Sequence, residues 1–246
     1  MQACIEIAPE GFPVAIRKSA SKTTTQEHQR FTQLITQLIA NGRYGQLVAI
    51  HADMSHDQHG SMGAVGAERF LSWHRDFLLQ LEREMQQIDA AAFIPYWNWA
   101  ADRTVPSWLA DFHPDVPVPG RRHSLQVRRS LGRRGRLAAQ WEVDALVQNP
   151  AISYTNFTSV LEGFHNEVHT WVGGTMGSLM TAPADALFWL HHSQIDRLWS
   201  LWQAVPGNAA KHPTLNGADA VLDPWGPDTW QTVQSITTLG YSYEVP

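Results

Sequence analysis

A chain of 246 residues, 43% hydrophobic and 17% charged, carries enough apolar side chain to bury one sizeable core and has the balance of an ordinary globular protein. Its net charge of -5 argues against nucleic acid as the main partner, because phosphate binding needs a basic surface. The single cysteine, Cys4, excludes an intrachain disulfide, and no apolar run reaches the roughly eighteen residues of a membrane span.

Residues 1–20 alternate apolar and polar around Gly11 and Pro13, which predicts short strands and a turn at the edge of the domain. The same stretch has no charged segment followed by an apolar run of signal length, so the expectation is a cytoplasmic protein, with export alongside a partner left open. A helix begins near Thr23, with Phe31, Leu34, Ile35, Leu38 and Ile39 on one side and Asn41-Gly42 as its stop. Residues 45–54 form a short helix that sets His51 beside Leu47 and Val48. The loop SHDQHGSMGAVG follows; its glycines cannot hold a helix, so His56 and His59 lie in irregular chain. The helix predicted over 67–88 has Phe70, Trp73, His74, Phe77, Leu78, Leu81 and Met85 on its inner face. Phe93 to Asp102 reads as a buried extended segment, because Pro95 disfavours helix. Residues 113–136 hold three prolines and the arginines 121, 122, 128, 129, 133, 134 and 136. They predict a solvated loop or hairpin with a basic face suited to a partner or an acidic substrate.

The last two predicted helices carry the chemistry. Ser159-x-x-Glu162 fits a capping pattern at the start of a helix in which His165 and His169, four residues apart, leave the same face among Leu161, Val168 and Val172. In the final helix Phe188, His192, Ile195 and Trp199 recur at helical spacing, so periodicity selects His192 as the inward member of the His191-His192 pair. His191 shares a more mixed stripe with Leu187, Gln194 and Leu198. Three histidines on the apolar faces of two helices are a metal site, and an all-imidazole set suits copper, zinc, iron or nickel. Asp196, four beyond His192, reads either as a support for the site or as the ion-pair partner of Arg197 or another arginine. The tail closes on ITTLGYSYEVP, a strand-like end.

Four stretches, RFLSWHRDFLLQLE, FIPYWNWAADR, HNEVHTWVGGTM and FWLHHSQIDRLWSLWQ, resemble in content and order the tyrosinase and polyphenol oxidase family, over roughly two thirds of the chain. The resemblance implies a mainly α fold, an antiparallel helical bundle around a dinuclear copper site with a few short strands and long loops, formed by residues 1–246 as one catalytic domain. It implies two copper ions, with His51, His59 and His74 on one and His165, His169 and His192 on the other. For the loop ligand His56 competes with His59, which is preferred because Gly60 follows it and allows close backbone approach. The resemblance further implies that Glu162 and Asn166 hold a water able to take a phenol's proton; Glu162 stands only three residues before His165, closer than in bacterial relatives.

The implied activity is oxidation of o-diphenols to o-quinones by O2, with hydroxylation of monophenols. Catechol or o-aminophenol oxidation without monophenolase activity is the alternative, and a haemocyanin-like oxygen carrier is a third reading. A small phenolic substrate is the expected partner, with a separate copper-delivery protein, and with no nucleic acid and no membrane. A di-iron site is disfavoured because no inward Asp or Glu joins the six histidines, and a zinc protease because HxxxH here lacks the metalloprotease glutamate.

Overall fold

The computed structural model describes residues 15–244. The predicted turn at Gly11 and Pro13, and Cys4, lie outside the described residues. The protein is mainly helical, with α1 Thr25–Ala40, α2 Arg43–Ala52, α3 Ala64–Gln86, α4 Gln140–Val147, α5 Tyr154–Val172 and α6 Ala186–Ala204. Strand β1, Ala15–Arg17, pairs in parallel with β4, Tyr241–Tyr243. The arginine-bearing segment is the predicted hairpin, with β2 Asp115–Val116 antiparallel to β3 Leu125–Gln126. Phe93 to Asp102 is non-helical as expected, and Trp97 N–H donates to Leu190 O on α6 at 3.0 Å.

Helix boundaries follow local chemistry. Thr24 caps α1 by accepting from Glu27 N–H at 3.2 Å while the Glu27 carboxylate accepts from Thr24 N–H at 2.8 Å. The α1–α2 turn passes through Gly42 at φ 83°, a left-handed position that a side chain would strain. Helix α5 starts earlier than the Ser159-x-x-Glu162 pattern predicts. Its cap is Ser153, whose hydroxyl accepts from Asn156 N–H at 3.2 Å, so Glu162 sits in mid-helix and does no capping.

One apolar cluster runs from Ala20 on the N-terminal side to Val233 near the end, and includes Trp73, Trp97, Trp99, Trp189, Trp199 and Trp202. Most of the tryptophans therefore fill the space between helices. Helix α6 is central, with every residue from Ala186 to Trp199 buried. Beside it, an ionic cluster joins both ends of the described chain. Arg17 on β1 donates to Glu82 at 2.9 Å and to Asp196 at 3.2 Å, Arg75 donates to the other Asp196 oxygen, and the Tyr241 and Tyr243 hydroxyls donate to Asp196 at 2.7 and 2.6 Å. Asp196 thus supports the frame through Arg75 and Arg17. Arg197, its sequence neighbour, lies instead over the Tyr96 ring at 4.6 Å. Burial raises the Asp196 carboxyl's pKa, yet Arg75 and Arg17 outweigh it and hold the carboxyl below its ordinary value.

Candidate dicopper centre

Two groups of imidazoles lie side by side in the core. His51 from α2, His59 from the loop and His74 from α3 form the first; His165 and His169 from α5 with His191 and His192 from α6 form the second. The groups adjoin: the His74 and His192 rings stack at 4.4 Å, 20° from parallel, and the His59 and His165 rings lie 5.8 Å apart.

Backbone carbonyls decide which nitrogen of each ring is available. His51 Nδ1 meets Leu179 O at 2.9 Å, His74 Nδ1 meets Phe70 O at 2.8 Å, and His169 Nδ1 meets Met176 O at 2.7 Å. His165 Nδ1 meets Asn166 Oδ1 at 3.0 Å. A carbonyl oxygen can only accept, so each of these Nδ1 atoms carries the proton and each Nε2 presents a lone pair. Those lone pairs converge. His51 and His59 Nε2 are 3.4 Å apart; His165 Nε2 lies 2.9 Å from His169 Nε2 and 3.1 Å from His192 Nε2; His74 Nε2 is buried with no partner among the described residues. Lone pairs facing one another in a buried site repel unless a cation sits among them, so the donor sets fit metal ions. Burial lowers the basicity of His51, His74, His165 and His192 well below the usual imidazole value, and that of His169 to about 4, which keeps the rings in the neutral form a metal needs.

Of the two loop histidines, the structure brings His59 into the first group and turns His56 away. The His56 ring stacks on Trp73 at 6.3 Å, and its Nε2 lies 3.9 Å from Asp53. Gly60 N–H donates to both oxygens of Glu162, at 2.9 and 3.2 Å, and a Cβ at position 60 would come within 2.7 Å of Glu162 Oε2. Glu162 Oε1 is also 3.5 Å from His59 Nδ1. The glycine thus permits a close approach, as its position after His59 suggested, and what approaches is the Glu162 carboxylate.

The mixed stripe assigned to His191 is as buried as the inward one. Leu187, Gln194 and Leu198 are all buried, and His191 itself is fully enclosed. Its ring stacks face to face on His165 at 5.0 Å, 14° from parallel, and neither nitrogen has a hydrogen-bond partner among the described residues. His191 thus offers a ring face to His165, whereas His192 turns Nε2 toward His165 and, at 3.4 Å, toward His169. Periodicity missed this neighbour because it assumes that one face of a helix meets water. The adjacency of two histidines was the signal available.

The family model for the common central domain of tyrosinase matches residues 41–131 and 114–205. The chain is 32% identical to a tyrosinase of Streptomyces galbus over 281 residues, covering 94% of this chain and 100% of that one. The chain belongs to the tyrosinase family. It is a type-3 dicopper phenol oxidase by family, with its two histidine groups fitted to the two copper ions. Solved structures agree on the fold. A functional unit of octopus hemocyanin superposes with a TM-score of 0.74 at 23% identity, covering 94% of this chain and 68% of that one. A polyphenol oxidase of Thermothelomyces thermophila gives 0.68 at 20% identity, covering 97% and 90%. No described helix is long and apolar enough to cross a membrane.

This tyrosinase-family site meets solvent at His169, the half-buried ring of the seven. Asn166 and Thr170 are exposed, His169 is half-buried, and a Cβ at Gly163 would meet nothing within 4 Å. Inside, Phe188 lies on the His192 ring at 4.0 Å and meets His51 edge-on at 5.1 Å, while Phe70 and Phe77 close the first group. The buried rings are thus packed among phenylalanines.

Proposed function

We propose that the protein uses O2 to oxidise o-diphenols to o-quinones and also hydroxylates monophenols, with residues 1–246 acting as one catalytic domain. His51, His59 and His74 would hold one copper, and His165, His169 and His192 the other. The observation that carries the reading is the convergence of imidazole Nε2 atoms in two adjoining groups, one of which includes the half-buried His169. When bound, the copper pair supplies the two-electron exchange with dioxygen and the electrophilic pull on a phenolic oxygen.

The chain's own residues do the rest. The carbonyls of Leu179, Phe70 and Met176 fix three ring orientations, so the donors are set before the metal arrives. Glu162 and Asn166 are the groups suited to moving the substrate proton. Asn166 is exposed and accepts from His165 Nδ1 at 3.0 Å, and Glu162 Oε1 lies 3.5 Å from His59 Nδ1. A water held between them would take the phenol's proton and pass it to the carboxylate. Glu162, although only three residues before His165 in sequence, reaches the loop of the first group, which supports this role.

The test is copper loading followed by oxygen uptake. Copper ions added to the purified chain should bind at two per molecule; a shortfall that a delivery protein restores would transfer loading to that partner. Oxygen uptake with both a catechol and a monophenol is the expected result. Uptake with the catechol alone would reduce the activity to catechol oxidation, and reversible oxygen binding without turnover would replace the enzyme by a carrier.

A further inference from the structure

The arginine-rich segment plays no part in the site described so far, yet it is bonded to the strip of chain that joins the two histidine groups. Residues 174–181 give Met176 O to His169 of the second group and Leu179 O to His51 of the first. The strip closes on itself where Thr181 Oγ1 donates to Thr175 O at 2.8 Å, and it meets solvent at Met180, which is 43% exposed. The Arg121 guanidinium donates to Met180 O at 3.0 Å. Further along the same segment, Arg128 N–H donates to Thr175 Oγ1 and Thr175 N–H to Arg128 O, both at 2.8 Å.

Two of the seven arginines are neutralised. Arg129 is buried against Asp185 at 2.6 Å, and Arg136 pairs with Glu142 at 2.7 Å. Arg121, Arg122 and Arg128 are exposed and make no ion pair among the described residues. Arg121 spends one donor on Met180 O, which anchors the guanidinium and leaves its other N–H groups in water. On a chain of net charge -5, this is a local positive rim on the strip that borders both histidine groups.

We propose that Arg121, reinforced by Arg122 and Arg128, selects phenolic substrates that carry a carboxylate on the side arm. The inference rests on the phenol-oxidase reading above and names the substrate class of that same site. A guanidinium binds a carboxylate through two parallel N–H donors, and one already tethered to Met180 O loses little freedom in doing so. The contact is remote from the reacting oxygens and equal in ground and transition states, so it acts on KM and leaves kcat alone.

The experiment uses the copper-loaded full chain and three catechols that differ only in a side arm bearing a carboxylate, a neutral group or an ammonium. The expected order of kcat/KM is carboxylate, then neutral, then ammonium, with the spread narrowing as salt is raised. Arg121→Gln should raise KM for the carboxylate substrate by about 2- to 5-fold, the scale of one solvent-exposed ion pair, with the loss confined to that substrate. Arg121→Lys should recover part of it, and Arg134→Gln, which removes the same charge from the segment without touching the strip, should change none of the three. Equal losses in the Arg121 and Arg134 variants would overturn the proposal in favour of a diffuse field. A fall for all three substrates with reduced copper content in Arg121→Gln would overturn it in favour of a structural tether on Met180. Wild-type protein that oxidises the neutral catechol with no charge preference also overturns it, while leaving the phenol-oxidase reading intact. Protein with two coppers that turns over none of the three removes both.

Discussion

The two histidine groups reach similar geometry by different means. In the second, His165, His169 and His192 all stand on helices, and helical spacing alone sets them on facing surfaces. In the first, His51 and His74 come from helices but His59 comes from irregular chain, held by the Glu162 carboxylate on α5. Glu162 lies three residues before His165, so the helix that forms the second group also orders the first. Local periodicity builds one group, and a contact between distant segments completes the other. Changes that act on the shared frame should strike both groups, whereas changes at the loop should strike one.

The largest expected effect belongs to the shared frame. His74 and Arg75 are neighbours on α3, and His192 and Asp196 share α6, so the Arg75–Asp196 contact locks the two helices that bring the groups together. Asp196→Asn leaves two fully buried arginines short of a counter-charge and should cost about 3–5 kcal/mol of stability at neutral pH, read by denaturant or thermal unfolding. Arg75 and Arg17 hold the folded Asp196 pKa below its unfolded value of about 4. Its contribution is therefore complete above that value and fades as pH falls through the folded one, so the gap between wild type and variant should close only in that acid range. A gap that stayed constant down to acid pH would detach the effect from this carboxylate.

Next come the ligands themselves. His59→Ala and His192→Ala should each lower bound copper from two per chain to about one, and each should reduce oxidation by more than the roughly 100-fold that outer supports reach. They should differ in what remains. The His192 variant disturbs a helix packed on every side, while the His59 variant disturbs a loop, so the thermal midpoint should fall further for His192→Ala. Full copper content in His59→Ala would return the loop ligand to His56.

The same contrast explains what the sequence could reveal. The stripe through Phe70, Trp73, His74 and Phe77 was legible because helical periodicity is a local property. The role of Gly60 was half legible: close approach could be inferred, but not the carboxylate 102 positions later that makes it. Asp196 was harder, since its partners Arg17 and Tyr243 lie 179 and 47 positions away and no local pattern links them. The capping pattern at Ser159 misled because a serine followed by glutamate three residues on also occurs inside a helix, where Ser159 Oγ simply donates to Thr155 O at 2.8 Å. His191 escaped because the length of α6 that water never touches is set by everything packed around it, not by its own sequence.

The smallest effects fall on two supports of α5 that serve opposite groups, and they sharpen the comparison most. Glu162 is buried and faces His59; Asn166 is exposed and accepts from His165 Nδ1 at 3.0 Å. Glu162→Gln keeps the shape and replaces a charge-assisted contact by a neutral one, so the copper of the first group should weaken by about 10- to 100-fold and the other should hold. Asn166→Ala removes one neutral acceptor at a position that water can reach, and water can take the His165 proton in its place, so the second copper should weaken by only about tenfold or less. Competition with a chelator, followed copper by copper, separates the two. The ratio of monophenol to diphenol oxidation adds an independent reading. If the pair holds the water that takes the phenol's proton, both variants should lose monophenol oxidation before diphenol oxidation, whichever copper each one weakens. If they act only by orienting histidines, the two activities should fall together in each variant, in step with its copper loss.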